Sequence, residues 1–283
     1  MGKIAEPRIL LTGLAIGESP RWHEGRLWFC NWGTQEIVAV DLDGSSEVMA
    51  HVPTTLPFCI EWLPDGRLLA VSGPEALLLR QEPDGKLVTH ADLGGLAGGF
   101  NEIVADGRGN AYVNGGVFDF STGTGSGVVA LVRPDGSTRQ VADGIAFGNG
   151  MAITEDGSTL IVAESWARRL SAFDIASDGS LSNRRVWADL GDSPPDGICV
   201  DAEGAVWFAD VPNKRCTRVR EGGEVLQTIE LDRGCFACAL GGTDRRTLFM
   251  VAREWGGPET MTDEERTGRI LATRTSVSGV GWP

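Results

Sequence analysis

The sequence predicts an all-β fold: one six-bladed β-propeller domain over residues 1–283, with four-stranded blades and closure by pairing of N- and C-terminal strands. Three observations predict it. A turn followed by an apolar run recurs six times. The recurrence has the period of a four-stranded blade. The two chain ends hold strand-like segments that together finish one blade.

The first copies read Trp22-His23-Glu24-Gly25-Arg26-Leu27-Trp28-Phe29 and Leu63-Pro64-Asp65-Gly66-Arg67-Leu68-Leu69. Asp106-Gly107-Arg108-Gly109, Glu155-Asp156-Gly157 and Ala202-Glu203-Gly204 open three more, and Thr243-Asp244-Arg245 opens a degenerate sixth. Anchored on Gly25, Gly66, Gly109, Gly157, Gly204 and Arg245, the intervals are 41, 43, 48, 47 and 41 residues. Blades of about 40 to 50 residues give that period. Three residues after each anchor stands a large apolar group: Trp28, Leu69, Tyr112, Leu160, Trp207 and Leu248. A glycine turn before an apolar run fits a hairpin between buried strands.

Later in the copies, alternating runs such as Glu36–Asp41, Val128–Val132 and Leu170–Asp174 precede Asp-Gly turns. No long helical period appears, so a parallel α/β sheet is disfavoured. Arg8–Thr12 and Gly268–Thr273 are the two end strands expected to close the ring and remove its exposed edge. The stretch from Asn114 to Gly127, rich in glycine, reads as a loop flanking the site.

Composition narrows the function. A net charge of −14 disfavours nucleic-acid binding, which needs a basic footprint. No run reaches the roughly 18 apolar residues of a membrane span. Met1–Pro7 has no apolar signal core, and Glu6 stands where a myristoylation motif has Ser or Thr. The expectation is a cytoplasmic protein. Cys30, Cys59, Cys199, Cys216, Cys235 and Cys238 then read as reduced thiols. Cys235 and Cys238 form a CxxC without the second pair that a structural zinc site needs.

The innermost strand of each blade precedes the anchor turn, so its start should lie at one mouth of the channel. Eight residues before the anchors stand Gly17, Phe58, Asn101, Asn149, Asp196 and Ala237, with Glu18 one residue off register. Glu18, Asn101, Asn149 and Asp196 thus occupy equivalent places in four blades and converge on the axis. Buried there unpaired they would be costly. A hard cation satisfies two carboxylates and amide oxygens, and this donor set suits calcium.

The motifs carrying these residues resemble those of the SMP-30/gluconolactonase family. They are Gly17-Glu18-Ser19-Pro20, Phe100-Asn101-Glu102, Gly148-Asn149-Gly150-Met151-Ala152, Pro195-Asp196-Gly197-Ile198 and Cys235-Phe236-Ala237-Cys238-Ala239-Leu240-Gly241-Gly242. The resemblance runs from about residue 15 to 272. It implies a six-bladed propeller with one divalent cation, usually Ca2+, with Zn2+, Mg2+ or Mn2+ as alternatives. It implies Glu18, Asn149 and Asp196 as metal ligands, Asn101 touching substrate or water, and lactone hydrolysis with Asp196 as general base.

The residues agree with that chemistry. His23, His51 and His90 lie outside the ring, so a carboxylate is the natural base. No GxSxG, HExxH or GxGxxG motif is present. One departure stands out: Gly99 occupies the place where sugar-lactone hydrolases of the family often have Arg. Phe58, Phe100, Phe118 and Trp166 nearby point to a less polar lactone or ester. Phe100, Phe118 and Trp166 join Asn101 as expected substrate contacts. Glu164 and Asp210 are candidates to orient a ligand, Glu254 and Trp255 to line the mouth, and Asp263–Arg266 to form a solvated loop. Two readings compete with the lactonase: a non-catalytic binding propeller, and a metal-dependent phosphotriesterase, since a polarised P=O could use the same ring.

Overall fold

A computed structural model describes residues 6–54, 56–262 and 265–281. The described strands form six four-stranded antiparallel sheets. Blade 1 runs Gly17–His23, Arg26–Asn31, Glu36–Val40, Ser46–His51, and blade 2 Phe58–Trp62, Leu68–Ser72, Leu77–Gln81, Leu87–Asp92. Blade 3 is Phe100–Ala105, Ala111–Asp119, Thr124–Val132, Thr138–Ile145. Blade 4 is Gly148–Ile153, Thr159–Glu164, Arg169–Ile175, Leu181–Asp189. Blade 5 is Pro195–Val200, Val206–Asp210, Arg215–Val219, Val225–Glu230. Blade 6 takes Gly234–Gly241, Thr247–Arg253 and Gly268–Arg274, and its outer strand is Arg8–Leu14.

Closure follows the expectation. Arg8 pairs with Ala272 and Leu14 with Gly268, so the chain's beginning finishes the blade its end began. Leu10 and Leu14 bury their side chains in the cluster of Phe29, Phe249 and Val251, which ties blade 6 to blade 1.

The anchor turns explain the repeat. Gly25, Gly66, Gly109, Gly157 and Gly204 all have φ between +68° and +84°. Arg245 takes the same left-handed conformation at φ +57° in the sixth copy. Asp65, Asp106, Asp156 and Asp201 cap their turns by accepting the backbone N–H two residues on. Leu69, Tyr112, Leu160, Trp207 and Leu248 are fully buried. Trp28 is the exception. It is half-buried and packs edge-on against Trp62 at 5.2 Å, because Leu27 and Phe29 take the core positions of that strand.

One expectation is corrected. The stretch from Asn114 to Gly127 is not a loop but most of the longest hairpin in blade 3. Phe100 pairs with Gly115, so Gly116–Asp119 and their partners project past the start of the inner strand. The glycines that weakened the strand signal have a packing role. A Cβ added at Gly116, Gly125 or Gly127 would come within 2.6–3.1 Å of the Phe118 ring. Phe118 thus lies on a bed of glycines, an aromatic cover for residues that cannot pack themselves.

The opposite mouth is closed by the C-terminal segment. Gly279 N–H donates to Arg245 O at 2.8 Å, and Ala202 N–H to Ser278 O at 2.8 Å. A small cavity bounded by Arg21, Ile153, Val200, Leu240 and Val280 lies at that end, away from the strand starts. No described helix is long and apolar enough to cross a membrane.

Candidate functional site

The ring residues sit in irregularities of the inner strands. Ladder register shifts between Glu18 and Arg21, Phe100 and Glu102, Gly148 and Met151, and Pro195 and Ile198. Asn101, Asn149 and Asp196 therefore fall where pairing is interrupted, and Glu18 stands at the edge of such a step. A bulge re-aims a side chain. The one-residue offset of Glu18 comes from a shorter turn: Trp22 pairs with Leu27, three residues before and two after the anchor, where Val200 with Val206 stands four before and two after. Ser19 beside Glu18 has φ +50°. Blade 2 has no such shift along Phe58–Trp62.

Glycines after the ring residues let the inner strands close up. A Cβ at Gly150 would lie 2.5 Å from Ile198 N and 2.7 Å from Asp196 O. One at Gly197 would lie 2.6 Å from Ala237 Cβ. Asn149-Gly150 and Asp196-Gly197 thus pair a polar side chain with the small residue its neighbour demands.

A hydrogen-bonded chain joins three blades. Asn101 Nδ2 donates to Asn149 Oδ1 at 2.6 Å, and Asn149 Nδ2 donates to Ser165 Oγ at 2.8 Å. Ser165 Oγ donates to Pro195 O, next to Asp196, at 2.6 Å. Asn114 Nδ2 holds Asn149 O at 2.6 Å. The Asn149 amide is therefore fixed with its oxygen toward the Asn101 side.

The carboxylates meet from alternate blades. Burial first, then the charges of Asp196 and Glu102, push the Glu18 carboxyl well above the usual range. Burial and then Glu102 do the same to Asp196. Ser19 N–H donates to Glu18 Oε2 at 3.2 Å. Among the described residues no hydrogen bond reaches the Asp196 carboxylate.

The structure adds Glu102, which follows Asn101 in its motif and had no expected role. It contacts Ser19 Oγ at 3.4 Å and accepts from Arg21 Nη2 at 3.2 Å, while Arg21 Nε donates to Glu61 at 3.0 Å. Burial pushes Glu61 up to about 6 against the pull of Arg21. The sequence carries half of the signal for this triad: Glu61 is a charge inside the apolar run Phe58–Trp62 and Glu102 one at the head of Ile103–Ala105, while Arg21, their partner, stands in a polar segment.

Other candidates fall elsewhere. Phe58 and Phe100 are buried in the core. Phe118 and Trp166 lie on the rim with their rings 5.4 Å apart, and Phe120 and Phe147 complete an aromatic cluster around them. Glu164 binds Ala146 N, Arg169, Ser171 and Arg184, and Asp210 binds Asn213 and Arg215. Both are committed to their own blades. Glu254 is exposed, and Trp255 packs edge-on against Phe236 at 5.5 Å. Asp263 and Glu264 lie outside the described residues.

Hard oxygen donors make the set chemically fit for a divalent cation: the buried Glu18 carboxylate, the half-buried Asp196 carboxylate whose charge disfavours that of Glu18, and an oriented amide. Among the described residues no three His, Cys, Asp or Glu side chains could hold a metal ion together, so such a site needs the Asn149 amide and water. The six cysteines are free thiols.

Residues 16–254 match the SMP-30/Gluconolactonase/LRE-like family. The chain belongs to this family. It is similar to a 6-deoxy-6-sulfogluconolactonase of Pseudomonas putida, 30% identical over 160 residues, covering 54% of this chain and 55% of that protein. The chain thus spans about half the length of that curated relative. A pentonolactonase of Haloferax volcanii is 25% identical over 250 residues, covering 78% of this chain and 82% of its own. Among solved structures, regucalcin from Agrobacterium tumefaciens, described as a calcium-binding protein, superposes with TM-score 0.81. It is 21% identical, covering 99% of this chain and 97% of its own, and it supports the fold.

Proposed function

We propose that this chain is a divalent-cation-dependent lactone hydrolase, with Glu18, Asn149 and Asp196 holding the cation, calcium first among the choices. The observation that carries the reading is the hydrogen-bonded chain from Asn101 through Asn149 and Ser165 to Pro195 O, which sets the Asn149 amide next to Asp196, with Glu18 near enough for the charge of Asp196 to raise its carboxyl. Family membership and the lactonase names of two relatives support the reaction class.

A cation bound by these oxygens would polarise a lactone carbonyl and offset charge developing on its oxygen. The chain's own residues supply the rest. Asp196, which accepts no hydrogen bond among the described residues, accepts the proton of the attacking water. Asn149 is held by Ser165 and Asn101, so its oxygen stays in place. Asn101 is poised to contact substrate, and Phe118 and Trp166 wall the mouth where an apolar part of a lactone or ester could rest.

The test is a panel of sugar, aliphatic and aromatic lactones with Ca2+, Zn2+, Mg2+ and Mn2+. Asp196→Asn should keep the fold and lose turnover by about 10²-fold or more, the scale of a lost general base. Wild-type rates for Asp196→Asn would remove Asp196 as base. Turnover of a phosphotriester but no lactone would move the reaction to phosphorus.

A further inference from the structure

The second strand of blade 6 alternates between two faces. Leu248, Met250 and Ala252 pack toward blade 5 with Trp207, Ala209 and Cys216. Phe249 and Val251 face blade 1. Phe249 stacks on Trp22 at 5.5 Å, and Val251 Cγ1 lies 2.5 Å from where a Cβ of Gly17 would sit. Arg253 continues this second face one step toward the mouth. With Phe249 beside Trp22 and Val251 beside Gly17, that step carries it past Gly17, to the mouth end of the inner strand of blade 1. In blade 4 the residue on the matching face is Ser165, two positions beyond Ala163, and it binds Asn149 and Pro195 O.

Arg253 is 2% exposed, and its Nε and Nη1 are buried without a hydrogen-bond partner among the described residues. It forms no ion pair among the described residues. The other buried arginines differ: Arg218 pairs with Asp201 at 2.6 Å, and Arg233 with Asp232 at 2.7 Å. A guanidinium cannot shed its charge at ordinary pH. Burying it unpaired is costly, so its natural partner is an anion that arrives from outside. The connection after Arg253 lies over this region, with Met261 packed against the cluster of Ile16, Trp32 and Phe58.

We infer that Arg253 receives a carboxylate-type anion of the ligand at the mouth of the channel. The inference rests on the lactonase reading for the ligand's class and on geometry for the charge. The anion is either an acidic group borne by the intact lactone or the carboxylate formed when the ring opens.

The experiment uses cation-loaded full-length protein, with Arg253→Lys and Arg253→Met. Calorimetry compares D-gluconate with neutral D-gluconamide, so no turnover is required. Wild type should bind gluconate at least tenfold tighter, Arg253→Lys should keep part of that margin, and Arg253→Met should lose it. Arg253→Met should also melt no lower than wild type, because an unpaired buried charge has been removed. A lower melting point together with unchanged gluconate preference would show a structural arginine and overturn the inference. Equal binding of both probes by wild type would overturn it as well.

A kinetic arm compares a lactone bearing a free carboxylate with its methyl ester. A tenfold preference that disappears in Arg253→Met assigns the anion to intact substrate. Gluconate preference without this kinetic preference assigns it to product. Anion binding through Arg253 with no lactone turned over would defeat the lactonase reading and leave this inference standing.

Discussion

Asn101 donates its Nδ2–H to Asn149 Oδ1 at 2.6 Å, and Ser165 receives the other end of the same amide at 2.8 Å. The orientation of the ligating oxygen thus depends on two residues that need not touch the cation. Ser165→Ala should weaken cation binding by about 10- to 100-fold, as loss of a ligand-orienting partner does. It should cost only about 1 kcal/mol of stability, the scale of one hydrogen bond. Calcium titration and a melting curve on one preparation check both.

Arg21 sits between Glu61 at 3.0 Å and Glu102 at 3.2 Å, with its side chain 13% exposed. Arg21→Met leaves two buried carboxylates uncompensated, which should cost about 3–5 kcal/mol. At roughly 2–4 °C per kcal/mol for a chain of this class, the melting point should fall by about 10 °C. Thermal unfolding in saturating calcium reads it out.

The carboxyls of Glu18 and Asp196 lie well above their ordinary values of 4.5 and 3.8, burial being the main cause. Glu61 is pushed up to about 6. A folded state with raised carboxyl values holds protons that the unfolded chain releases. These groups therefore contribute stability at low pH and lose it as pH rises past the ordinary values toward the raised ones. In chelator, the melting point should fall as pH rises from about 4.5 toward neutrality. Calcium should restore it, with the increment growing with pH. Calorimetry from pH 4.5 to 7.5 measures this, and an increment that shrinks with pH would contradict it.

Phe118 covers Gly116, Gly125 and Gly127. Gly125→Ala should cost about 1–3 kcal/mol, the usual scale of overpacking. In a Phe118→Ala background only part of that cost should be relieved, because the ring contact at 2.6 Å is gone while Val117 O stays 2.5 Å from the added Cβ. A double-mutant cycle by urea unfolding measures the coupling.

The propeller was legible because its determinants are local and repeated. Each anchor turn needs a left-handed residue, and each following strand needs a buried apolar group. The contact of Asn101 with Asn149 was legible for the same reason: both keep the same spacing to their anchors. The hairpin of blade 3 was not, since Gly116, Gly125 and Gly127 look like loop residues until Phe118 is laid across them. Glu102 was missed because its partners Ser19 and Arg21 come from blade 1, some eighty residues away in sequence. The unpaired state of Arg253 is likewise a tertiary fact. Nothing in Met250-Val251-Ala252-Arg253 tells that its nitrogens will be buried alone.

The most direct measurement is calorimetric titration of chelator-stripped protein with calcium, run beside Glu18→Gln, Asn149→Ala and Asp196→Asn. The account predicts one site per chain in wild type, with each variant at least tenfold weaker and its circular dichroism unchanged. One site of undiminished affinity in all three variants, or no calcium binding in wild type, would contradict it.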